Sequence, residues 1–133
     1  MPDPLPVTAL NHVALTTRRL AESRAFYRDL LGFREVERPN FDFAGAWLTN
    51  CGLTIHLIES DRAPSPEGPI DTRGNHLALH ADDLDAVARM LEERGVEFRR
   101  NRIPDRNIPQ VFFRDPDGHV IEVGTYPAGR TGT

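Results

Sequence analysis

The sequence carries one cysteine, Cys51, and so closes no disulfide within the chain. It has no run of about 18 apolar residues, which excludes a helical membrane span. Residues 1–10 (MPDPLPVTAL) lack the basic start and apolar stretch of a secretory signal. These absences lead us to expect a protein of the reducing cytoplasm. A basic excess is missing too: 16 Lys and Arg face 20 Asp and Glu, for a net charge of −4. No cationic stripe is left over to neutralise phosphates, so a nucleic-acid partner is not expected. What remains is one domain's worth of ordinary globular composition. The 133 residues are 39% hydrophobic and 27% charged, enough to bury a core without staples.

The strongest positive feature is a repeat. Asn11-His12-Val13-Ala14-Leu15 returns as Asn75-His76-Leu77-Ala78-Leu79, 64 positions later. Each copy leads into helical spacing: Leu20, Tyr27 and Leu31 within 19–31, and Leu84, Val87, Ala88 and Leu91 after a cap at Asp82 or Asp83. Gly32 and Gly95 end the two helices. Strands are expected at 10–17, 33–37, 45–49 and 53–59, then at 76–81, from 96, at 110–114 and at 119–124. Asn50-Cys51-Gly52 and Asp115-Pro116-Asp117-Gly118 read as turns. Each half therefore reads βαβββ, with module one at about 8–59 and module two at about 75–125. The Pro- and Gly-rich stretch 60–74 reads as a linker, and 126–133 as a frayed tail. The fold class expected is α+β, built from two similar βαβββ modules.

Strand alternation then sorts the side chains. Val13, Leu15, Leu77, Leu79, Ile55, Leu57, Ile121 and Val123 fall on the helix side. The opposite faces carry His12, Ala14 and Thr16; His76, Ala78 and His80; Thr54, His56 and Ile58; Val120, Glu122 and Gly124. Aligning Gly52 with Gly118 puts His56 in register with Glu122. If two such modules face each other about a pseudo-twofold axis, His12, His56, His76 and Glu122 converge. Three imidazoles and a carboxylate suit zinc, nickel, manganese or iron and leave positions open for water or substrate. A lone strand histidine is more often a hydrogen-bonded structural group, but four candidates at equivalent places in two copies are hard to ascribe to packing. His56 could instead be a base or a hydrogen-bond donor to a ligand.

Other residues carry weaker signals. His80 shares the parity of His76 and lines the cavity or the surface. His119 has the opposite parity and reads as structural. Trp47 reads as core that could also offer its indole to a substrate, with Phe112 or Phe113 as its counterpart. Arg102, Arg106 and Asn107 read as a solvated loop that could grip an anion. Cys51 has no activating partner and does not read as a nucleophile.

The segments NHVALTTRRLAESRAFYRDLLGF at 11–33, LTIHL at 53–57, NHLALH at 75–80 and FFRDPDGHVIEV at 112–123 resemble the vicinal oxygen chelate superfamily. That group includes glyoxalase I, fosfomycin and bleomycin resistance proteins and extradiol dioxygenases. The resemblance implies paired modules forming a curved mixed sheet with helices outside, a divalent metal held by His12, His56, His76 and Glu122, a small-molecule substrate and a homodimer. It implies a metal-dependent, glyoxalase-like lyase or isomerase in which Glu122 or His56 moves a proton. Bacterial glyoxalase I has glutamate at the place of His56, and its glutathione-holding segment does not match residues 58–62 here. The resemblance leaves open an extradiol-type dioxygenase, or a resistance-type protein that binds a small molecule without turnover.

Overall fold

The computed structural model describes residues 2–105 and 107–127. The chain divides into two compact units, Met1–Arg62 and Ala63–Thr133. No helix among the described residues is long and apolar enough to cross a membrane.

The first unit runs β1 (Val13–Thr17), α1 (Leu20–Ala25), β2 (Arg34–Val36), β3 (Gly45–Asn50) and β4 (Leu53–Glu59). Its sheet has the order β1-β4-β3-β2, with β1 parallel to β4 and the other pairs antiparallel. The second unit repeats the plan: β5 (His76–His80), α2 (Leu84–Glu93), β6 (Phe98–Ile103), β7 (Ile108–Arg114) and β8 (Val120–Gly124). Its order is β5-β8-β7-β6, again with one parallel pair, β5 and β8. The βαβββ expectation holds in both units, and the architecture is α+β. Each unit carries one four-stranded mixed sheet.

Alternation holds on β4, while on β8 both faces are buried, and Val13, Leu15, Leu77 and Leu79 of the edge strands are half-buried. Ile55 and Leu57 on β4, Leu48 on β3, and Ile121 and Val111 in the second unit are all buried. The tight turns follow their sequences. Cys51 and Gly52 both take positive φ, 54° and 75°, which suits the right-handed twist of the hairpin they join. The Asn50 side chain accepts from the Cys51 N–H.

Helix α2 starts at Asp83, whose carboxylate accepts from the Ala86 N–H at 3.1 Å. It buries Leu84, Ala88 and Leu91. At its end Gly95 N–H donates to the Glu92 carbonyl and Val96 N–H to Leu91, the paired closure that a glycine at φ 67° permits.

Three expectations need correction. The helix expected over 19–31 changes pitch: α1 ends at Ala25 and Phe26–Leu30 form a π-helical turn. The wider turn seats Tyr27 fully buried, edge-on to Phe26 and Phe33. The loop expected before 110–114 is mostly strand: Arg102 lies on β6, and only a short turn precedes β7. Asn107 takes φ 53° there and accepts from the Arg102 guanidinium; Arg106 lies outside the described residues. The stretch 60–74 is not a free linker from Ala63 onward. Ala63 and Ile70 are buried, Arg114 donates to the carbonyls of Glu67 and Gly68, and Arg99 to that of Ile70.

Candidate metal and substrate faces

On the open face of the first sheet, strand register sets the neighbours. His56 on β4 lies between Ala14 of β1 and Trp47 of β3. Ala14 is small, so His12, just ahead of β1, reaches over it. The His12 and His56 rings stack with centroids 3.7 Å apart and 14° between planes. Trp47 covers the other side of His56 at 4.0 Å and 2°. The His12 Nδ1 lies 2.7 Å from the Asn11 side-chain oxygen. With that oxygen as acceptor, the Nε2 lone pair is left outward. Burial, followed by the nearby His12 and Arg38, holds the His56 pKa below its ordinary value. His56 therefore stays neutral, the form that can ligate a metal or accept a proton.

The second sheet reproduces this pattern with a carboxylate. Glu122 on β8 lies between Ala78 of β5 and Phe112 of β7. Of the two phenylalanines considered as counterpart to Trp47, register selects Phe112; its ring meets His76 edge-on at 6.0 Å. His76 Nδ1 lies 2.9 Å from the Gly74 carbonyl. A carbonyl only accepts, so Nδ1 carries the proton and the neutral ring keeps a lone pair on Nε2. That Nε2 faces Glu122 Oε1 at 3.3 Å. Two acceptors at this distance call for a cation between them, a proton or a metal ion.

Glu122 itself is buried. Burial pushes its pKa up, opposed by His76 and by a hydrogen bond from Gln110. Tyr126 O–H donates to the second oxygen. The start of the expected frayed tail is therefore engaged: Tyr126 N–H also donates to His80 Nδ1. Residues 128–133 lie outside the described residues. His80 uses its other nitrogen on Asp82 at 2.9 Å, so neither of its nitrogens is spare for a ligand. Cys51 sits exposed in its turn. His119 lies in the turn before β8, its N–H given to Asp115.

Among the described residues, each unit thus brings together two of the four expected ligands, His12 with His56 and His76 with Glu122. Within neither unit do the described residues gather three. The supporting groups Asn11, Gln110 and Tyr126 are additions to the sequence reading. Gln110 shares the parity of Phe112, a signal that was available.

Two βαβββ units that repeat one strand order and one register define the glyoxalase-like class of α+β folds. The chain belongs to the Glyoxalase/Bleomycin resistance protein/Dioxygenase superfamily, whose family model matches residues 9–123. It is 38% identical over 129 residues to Glyoxylase I 4 of Arabidopsis thaliana, covering 91% of this chain and 72% of that one. It is 34% identical to the uncharacterized protein YaeR of Escherichia coli strain K12, covering 90% and 97%. Among solved structures, a glyoxalase family protein from Enterococcus faecalis superposes with a TM-score of 0.68 at 26% identity, covering 87% of this chain and 96% of the other.

Proposed function

We propose that the protein is a divalent-metal-dependent, glyoxalase-like lyase or isomerase acting on a small substrate with neighbouring oxygens. The observation that carries this reading is the approach of His76 Nε2 to Glu122 Oε1 at 3.3 Å, two acceptors aimed at one space. Its counterpart at the matching register of the first unit is the His12–His56 pair, whose rings stack at 3.7 Å. The donor chemistry fits zinc, nickel, manganese or iron, held by His12, His56, His76 and Glu122. Such an ion, when bound, polarises a substrate carbonyl and favours the oxyanion that forms.

The rest of the chemistry falls to the chain. Gln110 and Tyr126 hold the Glu122 carboxylate in one orientation. Glu122 is the carboxylate placed to move a proton at carbon. His56, kept neutral by burial, is a ligand or the partner base. Trp47 and Phe112 stand next to His56 and Glu122 in the strand register and offer apolar area to a substrate. We include in the reading the homodimer that the resemblance implies, to be checked by light scattering.

The test is metal content by mass spectrometry with turnover measured on hemithioacetals, catechols and fosfomycin. The expected result is one bound divalent ion and turnover of a hemithioacetal that Glu122→Gln abolishes while the circular dichroism spectrum is kept. Full activity in Glu122→Gln would sink the assignment. Oxygen uptake on a catechol would move it to the dioxygenases, and binding without metal or turnover to the resistance-type binders. His56→Asn separates the two roles of that residue: a ligand loses metal, a base loses kcat with metal retained.

A further inference from the structure

The segment between β2 and β3 carries a group of side chains that neither the fold nor the metal-capable pairs require. Phe41 and Phe43 are exposed, 45% and 43%, where a stable core would have drawn them in. They lie against each other with centroids 5.1 Å apart. Phe41 continues to Trp47 at 6.1 Å, and Trp47 to His56 at 4.0 Å. An aromatic path thus runs along the first unit, from solvent to the candidate ligand.

A cation is built into that path. The Arg38 guanidinium sits 4.8 Å from the Phe41 ring centroid and 5.1 Å from that of Phe43. Its Nη2 donates to the Phe43 carbonyl at 2.7 Å. Gly45 makes the arrangement possible: a Cβ there would come within 3.2 Å of Arg38 Nε and Nη2, and 2.4 Å from the Leu57 carbonyl. Arg38 makes no ion pair with a carboxylate among the described residues, unlike Arg24, which grips Glu35, or Arg114, which grips Glu97. A guanidinium pre-oriented by rings and a carbonyl, with its charge unanswered, suits a planar anion that accepts from its fork.

We propose that Arg38, Phe41, Phe43 and Trp47 form a subsite for the aryl-carboxylate end of the substrate. The rings offer stacking area and the guanidinium takes the carboxylate. The placement of this end next to the reacting centre rests on the functional reading above. Binding in the subsite does not, because all four residues belong to one unit and none is a candidate metal ligand.

Trp47 is the single tryptophan of the chain, so its fluorescence reports the subsite directly. The full-length protein in excess EDTA is titrated with benzoate, its neutral analogue benzamide, and acetate. Benzoate should give a saturable change with a Kd at least about tenfold lower than either analogue. Arg38→Gln should raise the benzoate Kd about tenfold and leave benzamide unchanged. Phe41→Leu, at an exposed position, should weaken both aromatic probes, and Glu122→Gln should weaken neither. Absence of a saturable response to benzoate overturns the proposal. So does an Arg38→Gln protein with a native circular dichroism spectrum that binds benzoate as the wild type does. Arg38→Lys, which keeps the charge without the planar fork, guards against a folding defect in Arg38→Gln and should bind with intermediate affinity. Because EDTA removes metal from every measurement, a metal-free enzyme or an inactive one would refute the functional reading without touching this result.

Discussion

His56 and Glu122 occupy matching places, yet burial acts on them in opposite senses. His56 titrates below its ordinary value of 6.5 and Glu122 above its ordinary 4.5. In metal-free protein, the neutral form of His56 is favoured by folding. Its contribution is present above pH 6.5 and is lost as pH falls through the lower folded value. For Glu122 the protonated form is favoured: its contribution is present below 4.5 and lost as pH rises through the higher folded value. Urea unfolding in EDTA across pH 4 to 8 should therefore show a destabilisation on acidification that His56→Asn removes. Glu122→Gln should remove the separate loss on the rising side. A pH profile identical in wild type and both variants would contradict these environments. Metal binding should weaken steeply on acidification, since its ligands must shed protons; a metal titration at pH 7.5 and 5.5 checks this. At this scale the sequence was informative where alternation applied. Register put His12, His56, His76 and Glu122 on open faces. It missed Tyr126 and Arg38 because both act from irregular segments, where no period predicts side-chain direction.

The elements show where local signals suffice. Asp83 caps α2 as a single hydrogen bond to Ala86, and Asp83→Ala should cost about 1 kcal/mol in denaturant unfolding. Leu48 on β3 is fully buried, and Leu48→Ala should cost about 2–5 kcal/mol. A loss below 1 kcal/mol there would mean the first sheet is not packed as described. Both turns and the ends of α2 were legible, because Gly, Asn and Asp are chosen for backbone reasons that act over four residues. The π-helical turn was not: its driving force is the burial of Tyr27 beside Phe33, a tertiary effect that overrides helical spacing. The reach of β6 to Ile103 was hidden for a related cause. Its residues 99–102 (RRNR) are exposed and polar, and its strand character comes from pairing with β7, not from its own composition.

On the scale of the whole chain, the repeat foretold the architecture because a duplicated hydrophobic pattern dictates a duplicated layer. The segment fastened by Arg114 and Arg99 adds something the repeat does not contain. The duplicated sequence begins at Asn75, but the second unit begins at Ala63, with Ile70 buried and Arg114 bonded to the Glu67 and Gly68 carbonyls. The module that was copied and the module that folds are thus of different lengths. A fragment starting at Ala63 should give a more cooperative unfolding transition than one starting at Asn75, which leaves Arg99 and Arg114 without those carbonyls; equal transitions would show the strap to be passive. Any attempt to swap the second half of this chain should therefore cut at Arg62, where the chain changes allegiance, and not at the repeated Asn75-His76 where the eye sees the second copy begin.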